Sequence, residues 1–386
     1  MSDTLKIITG KSTLALMQVT VLLDRFPDLK YELIALPLNG YHQEENLGLN
    51  KKSFAVFPDK YDQALLQGKA DLILRVVAEL PYPLDSRLSV IALVNAGNQN
   101  DRPIILDNSA FNQVPPAEEE QLAIVALAGR SELKPIFAKH DIRNQFGKIT
   151  LVGFGPGNPD LLTLGGDRAL AQADIIFHDD LLDKDYLKKY KAEKVYVGKR
   201  KGSHCVEQNE INHLILEAAK AGKQVVRLKG GDPMIFAHGG EEIEFLERNL
   251  IEVEIIPGVS SGIAVASLLR VPLTHRGLSS SIAFISGHSE NVHLPDADTL
   301  VIYMGGSNIR IIARNAIEQG RNPQIPVMMV YNLSMPDQQT FFFTLEELTL
   351  TDQKFPTPII IVIGEVVSFR NKSITMADLL TVAQII

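Results

Sequence analysis

Two successive series of short apolar runs that alternate with helix-like stretches dominate the sequence. The first series begins near Lys6 and contains the β-rich runs KIIT, YELIAL, ADLILRVV, LSVIALV and LAIVALAG, separated by stretches such as STLALMQVTVLLDRF and DKYDQALLQ. The second series begins at KITLVGFG and continues through DIIFHD, KVYVG, QVVRLKGG, VEIIPG, SIAFISG and TLVIYMGG. This alternation is typical of α/β folds, so we predict an α/β protein.

The length of the chain predicts more than one domain. It has 386 residues, which exceeds the size at which one hydrophobic core usually stops growing. The second series of strands starts just after the sequence RNQFGK. We therefore expect two domains, at residues 1–146 and 147–386.

Composition and charge exclude several classes of protein. Hydrophobic residues make up 45% and charged residues 22%, as in an ordinary globular protein. Because the sequence has neither a run of roughly 18 apolar residues nor a secretory signal pattern, we expect a cytoplasmic protein without membrane contact. The net charge of −8 argues against nucleic-acid binding. The single Cys205 cannot form an internal disulfide or by itself build a thiolate site, and no metal is predicted.

Two glycine-rich turns directly follow apolar strands. The turn GFGPGNPD at residues 153–160 is either structural or a ligand loop, and Pro156 disfavours a dinucleotide-binding role. The turn KGGDP at residues 229–233 could present backbone amides and carbonyls to a polar ligand such as an amino acid moiety. Its alternative interpretation is a tight turn capped by Asp232.

Three further segments each allow two interpretations. The cations of VGKRKGSH at residues 197–204 form either a solvated loop or a site for a polyanionic substrate. In PGVSS, Ser260 could cap a helix N-terminus or bind a ligand. In VPLTHR, His275 and Arg276 could be surface residues or carboxylate ligands.

Taken in order, these segments resemble the tetrapyrrole methylases, and within them the branch that methylates uroporphyrinogen III. The resemblance covers Ile149 to Val367 and rests on VGFGPGNPDLLTL, VGKRKGSHCVEQNEIN, VVRLKGGDPMIF, GGEE, PGVSSG, VPLTHR, SGH and YMG. It implies a homodimeric methylase of two α/β subdomains, with a boundary near residues 258–275. It also implies that S-adenosylmethionine binds in the cleft between these subdomains.

The resemblance implies roles for individual residues as well. Asp179 matches the proposed proton acceptor of the family and Lys199 its proposed proton donor. The donor site would contain Pro156, Gly230, Gly231, Asp232, Ile235, Ser260, Ser261, Met304 and Leu333. The carboxylates of the tetrapyrrole would pair with Arg200, Lys201, Arg227, Lys229, His275 and Arg276.

Several positions depart from the family pattern. His238 stands where arginine is usual in the GRGGEE block, and Leu333 replaces a common glycine near the adenosine. Asp180 follows Asp179 where arginine is frequent, and GLSSS follows PLTHR in place of an acidic-aromatic sequence. These departures bear on rate and substrate affinity but not on the class of enzyme.

The N-terminal region resembles the first domain of hydroxymethylbilane synthase, one half of a periplasmic-binding-protein-like fold. The resemblance rests on KIITGKSTLALMQ and DQALLQGKADLIL. Gly10 occupies the family's opening arginine position, Ala78 and Glu79 replace its Lys-Asp pair, and no cysteine is present to carry a dipyrromethane cofactor. We expect a degenerate, noncatalytic domain with a structural, substrate-handling or regulatory role.

The reaction implied by the resemblance is C-methylation of uroporphyrinogen III to precorrin-2 in two successive transfers. The sulfonium methyl group of the donor is already activated, so positioning is the main requirement. The sequence does not distinguish siroheme from cobalamin biosynthesis as the pathway that uses the product. Two alternatives stay open: a methylase of a later corrin intermediate, and a catalytically impaired scaffold that binds tetrapyrrole.

Overall fold

The computed structural model describes residues 4–37, 59–95, 121–179, 184–198, 208–289 and 293–369. The chain divides into two compact units. The first comprises Met1–Phe146 together with Lys220–Gly222 and Phe245–Ile251, and the second comprises the remainder. Within the described ranges, no helix combines the length and the apolar character needed to cross a membrane.

The first unit is built on a mixed five-stranded sheet of order β2-β1-β3-β5-β4. Strands β1, β2 and β3 are parallel, whereas β5 runs antiparallel to both β3 and β4. The strands are β1 (Leu5–Gly10), β2 (Tyr31–Leu36), β3 (Leu72–Val76), β4 (Leu88–Asn95) and β5 (Gln121–Leu127), and the helices are α1 (Thr13–Leu23), α2 (Lys60–Leu66) and α3 (Lys134–Phe137). Helix α1 begins after Ser12, whose hydroxyl accepts a hydrogen bond from the Ala15 amide.

The second unit begins with a fully parallel sheet of order β10-β6-β9-β7-β8. Its strands are β6 (Ile149–Gly153), β7 (Ile175–His178), β8 (Glu193–Tyr196), β9 (Val225–Lys229) and β10 (Val253–Ile256). The connecting helices are α4 (Leu164–Gln172), α5 (Lys184–Leu187), α6 (Gln208–Lys220) and α7 (Gly239–Arg248). Strands β6, β7 and β9 are buried along their whole length, as central parallel strands are.

A second sheet, of order β11-β12-β15-β13-β14, completes this unit. Only β11 and β12 are parallel to each other, and all other neighbours in this sheet are antiparallel. The strands are β11 (Ile282–Ser286), β12 (Thr299–Tyr303), β13 (Pro326–Tyr331), β14 (Gln339–Thr344) and β15 (Ile359–Ile363), and the helices are α8 (Ser261–Leu269), α9 (Ile309–Glu318) and α10 (Leu345–Leu350).

The structure confirms the predicted α/β class and the strands predicted from KIIT to TLVIYMGG. It adds β13, β14 and β15, which the sequence analysis did not identify. The hydrophobic core next to this sheet includes Leu300 of β12, Val327 of β13 and Ile361 of β15. In the second unit, the parallel sheet therefore precedes α8 in the chain and the mixed sheet follows it.

Candidate active site

A cavity of about 930 Å³ lies within the second unit. It is lined by the segments that follow the carboxyl ends of the parallel strands and by residues after β12 and β13. Ligands of open parallel sheets bind at this edge, because the loops there converge. The lining includes all nine predicted donor-site residues: Pro156, Gly230, Gly231, Asp232, Ile235, Ser260, Ser261, Met304 and Leu333.

The glycines of three loops pack backbone against backbone at the base of this cavity. A Cβ atom on Gly153 would lie 2.5 Å from the Gly258 nitrogen and 2.6 Å from the Gly231 oxygen. The Gly231 amide donates to the Gly155 oxygen at 2.7 Å, and the Gly155 amide donates to the Gly231 oxygen at 3.2 Å. The close approach expected of the glycines is therefore made, in part, between the loops themselves.

Asp232 joins two of these loops. Its Oδ1 accepts a hydrogen bond from the Met234 amide at 2.8 Å, as the turn-capping interpretation requires. Its Oδ2 accepts from the Gly258 amide at 3.1 Å. Because both oxygens already hold backbone amides, the carboxylate fixes the shape of the cavity wall.

Ser260 does not cap α8, although it lies at the N-cap position. Its hydroxyl instead lies 2.6 Å from the Tyr303 hydroxyl, which also accepts a hydrogen bond from the Gly262 amide at 3.0 Å. The interpretation of Ser260 as the cap is therefore wrong, since a tyrosine from β12 takes that place. Tyr303 lines the cavity and was missed, although it directly precedes the predicted Met304.

Several cavity residues have an unusual backbone. Phe236, His238, Met304 and Asn332 have φ values of 52°, 58°, 54° and 45°. Non-glycine residues adopt this left-handed region infrequently, and such strain concentrates at binding sites. Phe236 was not predicted either; its ring lies 4.9 Å from that of Tyr303.

A buried ionic cluster forms part of the cavity wall. Lys229 Nζ lies 2.6 Å from Glu242 Oε1, and Arg227 Nε lies 3.3 Å from the same oxygen. The predicted proton acceptor Asp179 lies 3.8 Å from Arg227 Nη2. Burial, followed by the neighbouring Arg227 charge, lowers the pKa of Lys229, whereas Glu242 raises it. Arg227 and Lys229 line the cavity, but Glu242 already pairs with both.

The other predicted cations do not all fall at this site. His275 and Arg276 are not among the residues that line the cavity. The His275 backbone pairs with Ser279, its ring lies 5.2 Å from that of Phe369, and Arg276 is exposed. Lys199, Arg200, Lys201 and Asp180 lie outside the described residues.

Two departures from the family pattern do lie at the cavity. His238 lines it with a side chain 69% exposed, and its Nδ1 lies 3.1 Å from Glu241 Oε1. Leu333 lines it as a buried apolar residue. The substitution at position 238 thus changes a group that faces the site.

Two family models match the chain. Residues 148–349 match the family described as tetrapyrrole (corrin/porphyrin) methylases. Residues 5–150 match the family described as porphobilinogen deaminase, dipyromethane cofactor binding domain. The two matches correspond to the two resemblances found in the sequence.

Curated relatives are similar over the methylase-like region. A uroporphyrinogen-III C-methyltransferase of Bacillus subtilis (strain 168) is 41% identical over 239 residues, which are 58% of this chain and 93% of the relative. A siroheme synthase of Psychrobacter arcticus is 36% identical over 301 residues, which are 73% of this chain. The chain spans only 54% of the length of that synthase.

Solved structures of methyltransferases are also similar to this chain over more than half of its length. A uroporphyrin-III C-methyltransferase from Thermus thermophilus, complexed with S-adenyl homocysteine, is 41% identical with a TM-score of 0.52 and covers 58% of this chain and 100% of its own. A cobalt precorrin-4 methyltransferase of cobalamin biosynthesis is 26% identical with a TM-score of 0.50 and covers 57% and 95%. Because the methylase family model matches more than half of the residues, the chain belongs to the tetrapyrrole (corrin/porphyrin) methylase family.

Proposed function

We propose that this protein methylates uroporphyrinogen III at carbon with S-adenosylmethionine as donor, giving precorrin-2 in two successive transfers. We assign the activity to residues 147–386. The observation that supports it most is that one cavity collects all nine donor-site residues implied by the resemblance together with the cation pair of β9. The similarity to methyltransferases named for this substrate, at 41% identity, supports the choice of tetrapyrrole.

The cavity suits the donor in size and in chemistry. Its volume of about 930 Å³ lies at the upper end of the range for small-molecule sites. Ile235, Met304 and Leu333 offer apolar surface for a flat heterocycle, while the glycine loops and Ser261 offer polar groups. When bound, S-adenosylmethionine supplies an activated methyl group. The interlocked glycine backbones keep the surrounding wall in a fixed shape, as alignment of a methyl group with its acceptor requires.

The charged wall suits an anionic acceptor that must lose a proton. Arg227 and Lys229 present two cations at the cavity, which favours a substrate with carboxylates. Asp179 at the same wall serves as proton acceptor in this proposal, provided that substrate binding brings it within hydrogen-bond reach. The role of Lys199 as proton donor, the homodimer and the cytoplasmic location stay predictions.

We further propose that the N-terminal unit is noncatalytic. It matches a deaminase cofactor-binding domain, yet the sequence has no cysteine there to hold a dipyrromethane. Its role is therefore structural, substrate-handling or regulatory.

An anaerobic assay of the full chain with S-adenosylmethionine and uroporphyrinogen III tests the proposal. We expect dimethylated product by mass and absorbance, with monomethylated material as a transient. A folded protein that binds the donor but forms no methylated product would contradict it. Turnover of a later corrin intermediate alone would favour the alternative suggested by the precorrin-4 methyltransferase neighbour.

A further inference from the structure

Glu242 is a fully buried carboxylate beside the cavity that the proposed mechanism does not use. It lies in α7 with 0% of its surface exposed. Its Oε1 accepts hydrogen bonds from Lys229 at 2.6 Å, Gln208 at 3.0 Å and Arg227 at 3.3 Å. Its Oε2 is buried without a hydrogen-bond partner among the described residues. A buried carboxylate oxygen without a partner is costly, so a fold that retains one calls for an explanation.

The contacts of Glu242 extend to the candidate proton acceptor through Arg227. Arg227 Nε faces Glu242, whereas its Nη2 faces Asp179 at 3.8 Å. Arg227 and Lys229 are two residues apart in β9, so their side chains leave the same face of the sheet. One carboxylate thus holds two adjacent cations that would otherwise repel each other.

We propose that Glu242 is a positioning residue: it holds the Lys229 ammonium group in place as a cation and orients Arg227 toward Asp179. This inference rests on the proposed function. Glu242 touches no substrate, because it is not among the residues that line the cavity. It acts through Arg227 and Lys229, which are.

The charge of Glu242 favours the protonated form of Lys229. Burial and the Arg227 charge lower the pKa of Lys229, and the Glu242 charge and hydrogen bond act in the opposite direction. Removing the Glu242 charge must therefore lower this pKa further, so that the cation is lost at a lower pH. Among the described residues, the charged groups that act on or near Lys229 are Asp179, Arg227, Glu241 and Glu242, while α6 contributes the uncharged Gln208.

Glu242→Gln and Glu242→Asp separate this role from simple packing. Glutamine keeps the shape but loses the charge, whereas aspartate keeps the charge but is shorter. We expect kcat of Glu242→Gln to fall about tenfold, because the transition state is less well stabilised, and we expect the donor affinity to stay unchanged. We expect the pH above which activity falls to be lower in Glu242→Gln than in the wild type. Glu242→Asp should recover part of the kcat and part of this pH shift. A higher kcat for the glutamine variant than for the aspartate variant would overturn the proposal.

Glu244→Gln, on the exposed face of the same helix, is the matched control and should behave as the wild type. If Glu242→Gln fails to fold, Lys229→Gln is tested in its place. The activity of this variant should no longer fall at the alkaline pH at which that of the wild type does. Retention of the wild-type limit would contradict the inference. NMR titration of 13C-labelled lysines reads the Lys229 midpoint without turnover, and we expect a lower midpoint in Glu242→Gln than in the wild type. A shifted midpoint in a protein that does not methylate uroporphyrinogen III would refute the proposed function but not the pairing.

Discussion

Both units bury charged side chains beside a central strand, but the two clusters differ in charge balance. In the first unit, the described residues of the cluster include one cation, Arg75 of β3, paired with Asp59 at 2.8 Å and Asp62 at 2.9 Å. Glu79 also interacts with Arg75, and burial raises the pKa of both Asp62 and Glu79. In the second unit, Arg227 and Lys229 share the buried Glu242 and face a large cavity.

The two ion clusters can therefore have different roles in the protein. A cluster with more carboxylates than cations has no charge left to attract a polyanionic tetrapyrrole. The second cluster has two cations for its two carboxylates, Asp179 and Glu242, and both cations line the cavity. We infer that the Arg75 cluster stabilises the fold of the first unit and that the Glu242 cluster serves the site.

Replacing Arg75 should have the largest effect on stability. Arg75→Met leaves Asp62, 1% exposed, as a buried carboxylate without its cation. Loss of one partner of a buried pair typically costs about 3–5 kcal/mol. Hydrogen exchange of the β3 and β5 amides should report this loss, while donor affinity measured by calorimetry stays unchanged. A variant as stable as the wild type would remove the contrast between the two clusters.

Replacing Asp232 should affect the donor site instead. Asp232→Ala removes both hydrogen bonds that join the Met234 and Gly258 amides, so the cavity wall loses its fixed shape. We expect the Kd for S-adenosylmethionine to rise about 10- to 100-fold, or roughly 1.4–2.8 kcal/mol. Asp352→Ala, at an exposed aspartate outside the cavity lining, is the control for calorimetry. Equal Kd values for S-adenosylmethionine in the two variants would contradict the assignment of Asp232 to the donor site.

Much of this arrangement follows from the sequence, because strands and glycine turns are local features. The apolar runs predicted most strands, and the motifs after them lie together at one edge of the sheet. The roles of Tyr303 and Glu242 could not be predicted, since each depends on partners from other elements: Gly262 lies 41 positions from Tyr303, and Gln208 lies 34 positions from Glu242. Strand β15 could have been predicted, since IIIVI is a continuous apolar run like those of the other buried strands, but its place between β12 and β13 could not.

A smaller effect is expected from Asp62, and it concerns pH. Because the folded state raises the pKa of this carboxyl, it binds a proton more tightly than the unfolded chain does. Its contribution to stability therefore falls as pH rises from the unfolded pKa through the raised folded value. Asp62→Asn should flatten this part of the pH dependence of unfolding, with Asp28→Asn as an exposed control. The assignment of this pH dependence to Asp62 would be contradicted if the free energy of unfolding, measured with urea, changed with acidic pH as steeply in Asp62→Asn as in the wild type.

The smallest effect should come from deleting residues 1–147, which include most of the first unit. The Bacillus relative matches only 58% of this chain yet is covered over 93% of its own length, so a methyltransferase of this family does not require such a unit. We expect a chain that begins at Lys148 to keep kcat within about twofold, since 1 kcal/mol would already change it fivefold. Donor binding by the truncated chain shows whether it has folded. A folded truncation that binds the donor but does not methylate uroporphyrinogen III would mean that the first unit takes part in substrate handling, and the contrast between a structural cluster and a functional one would fail.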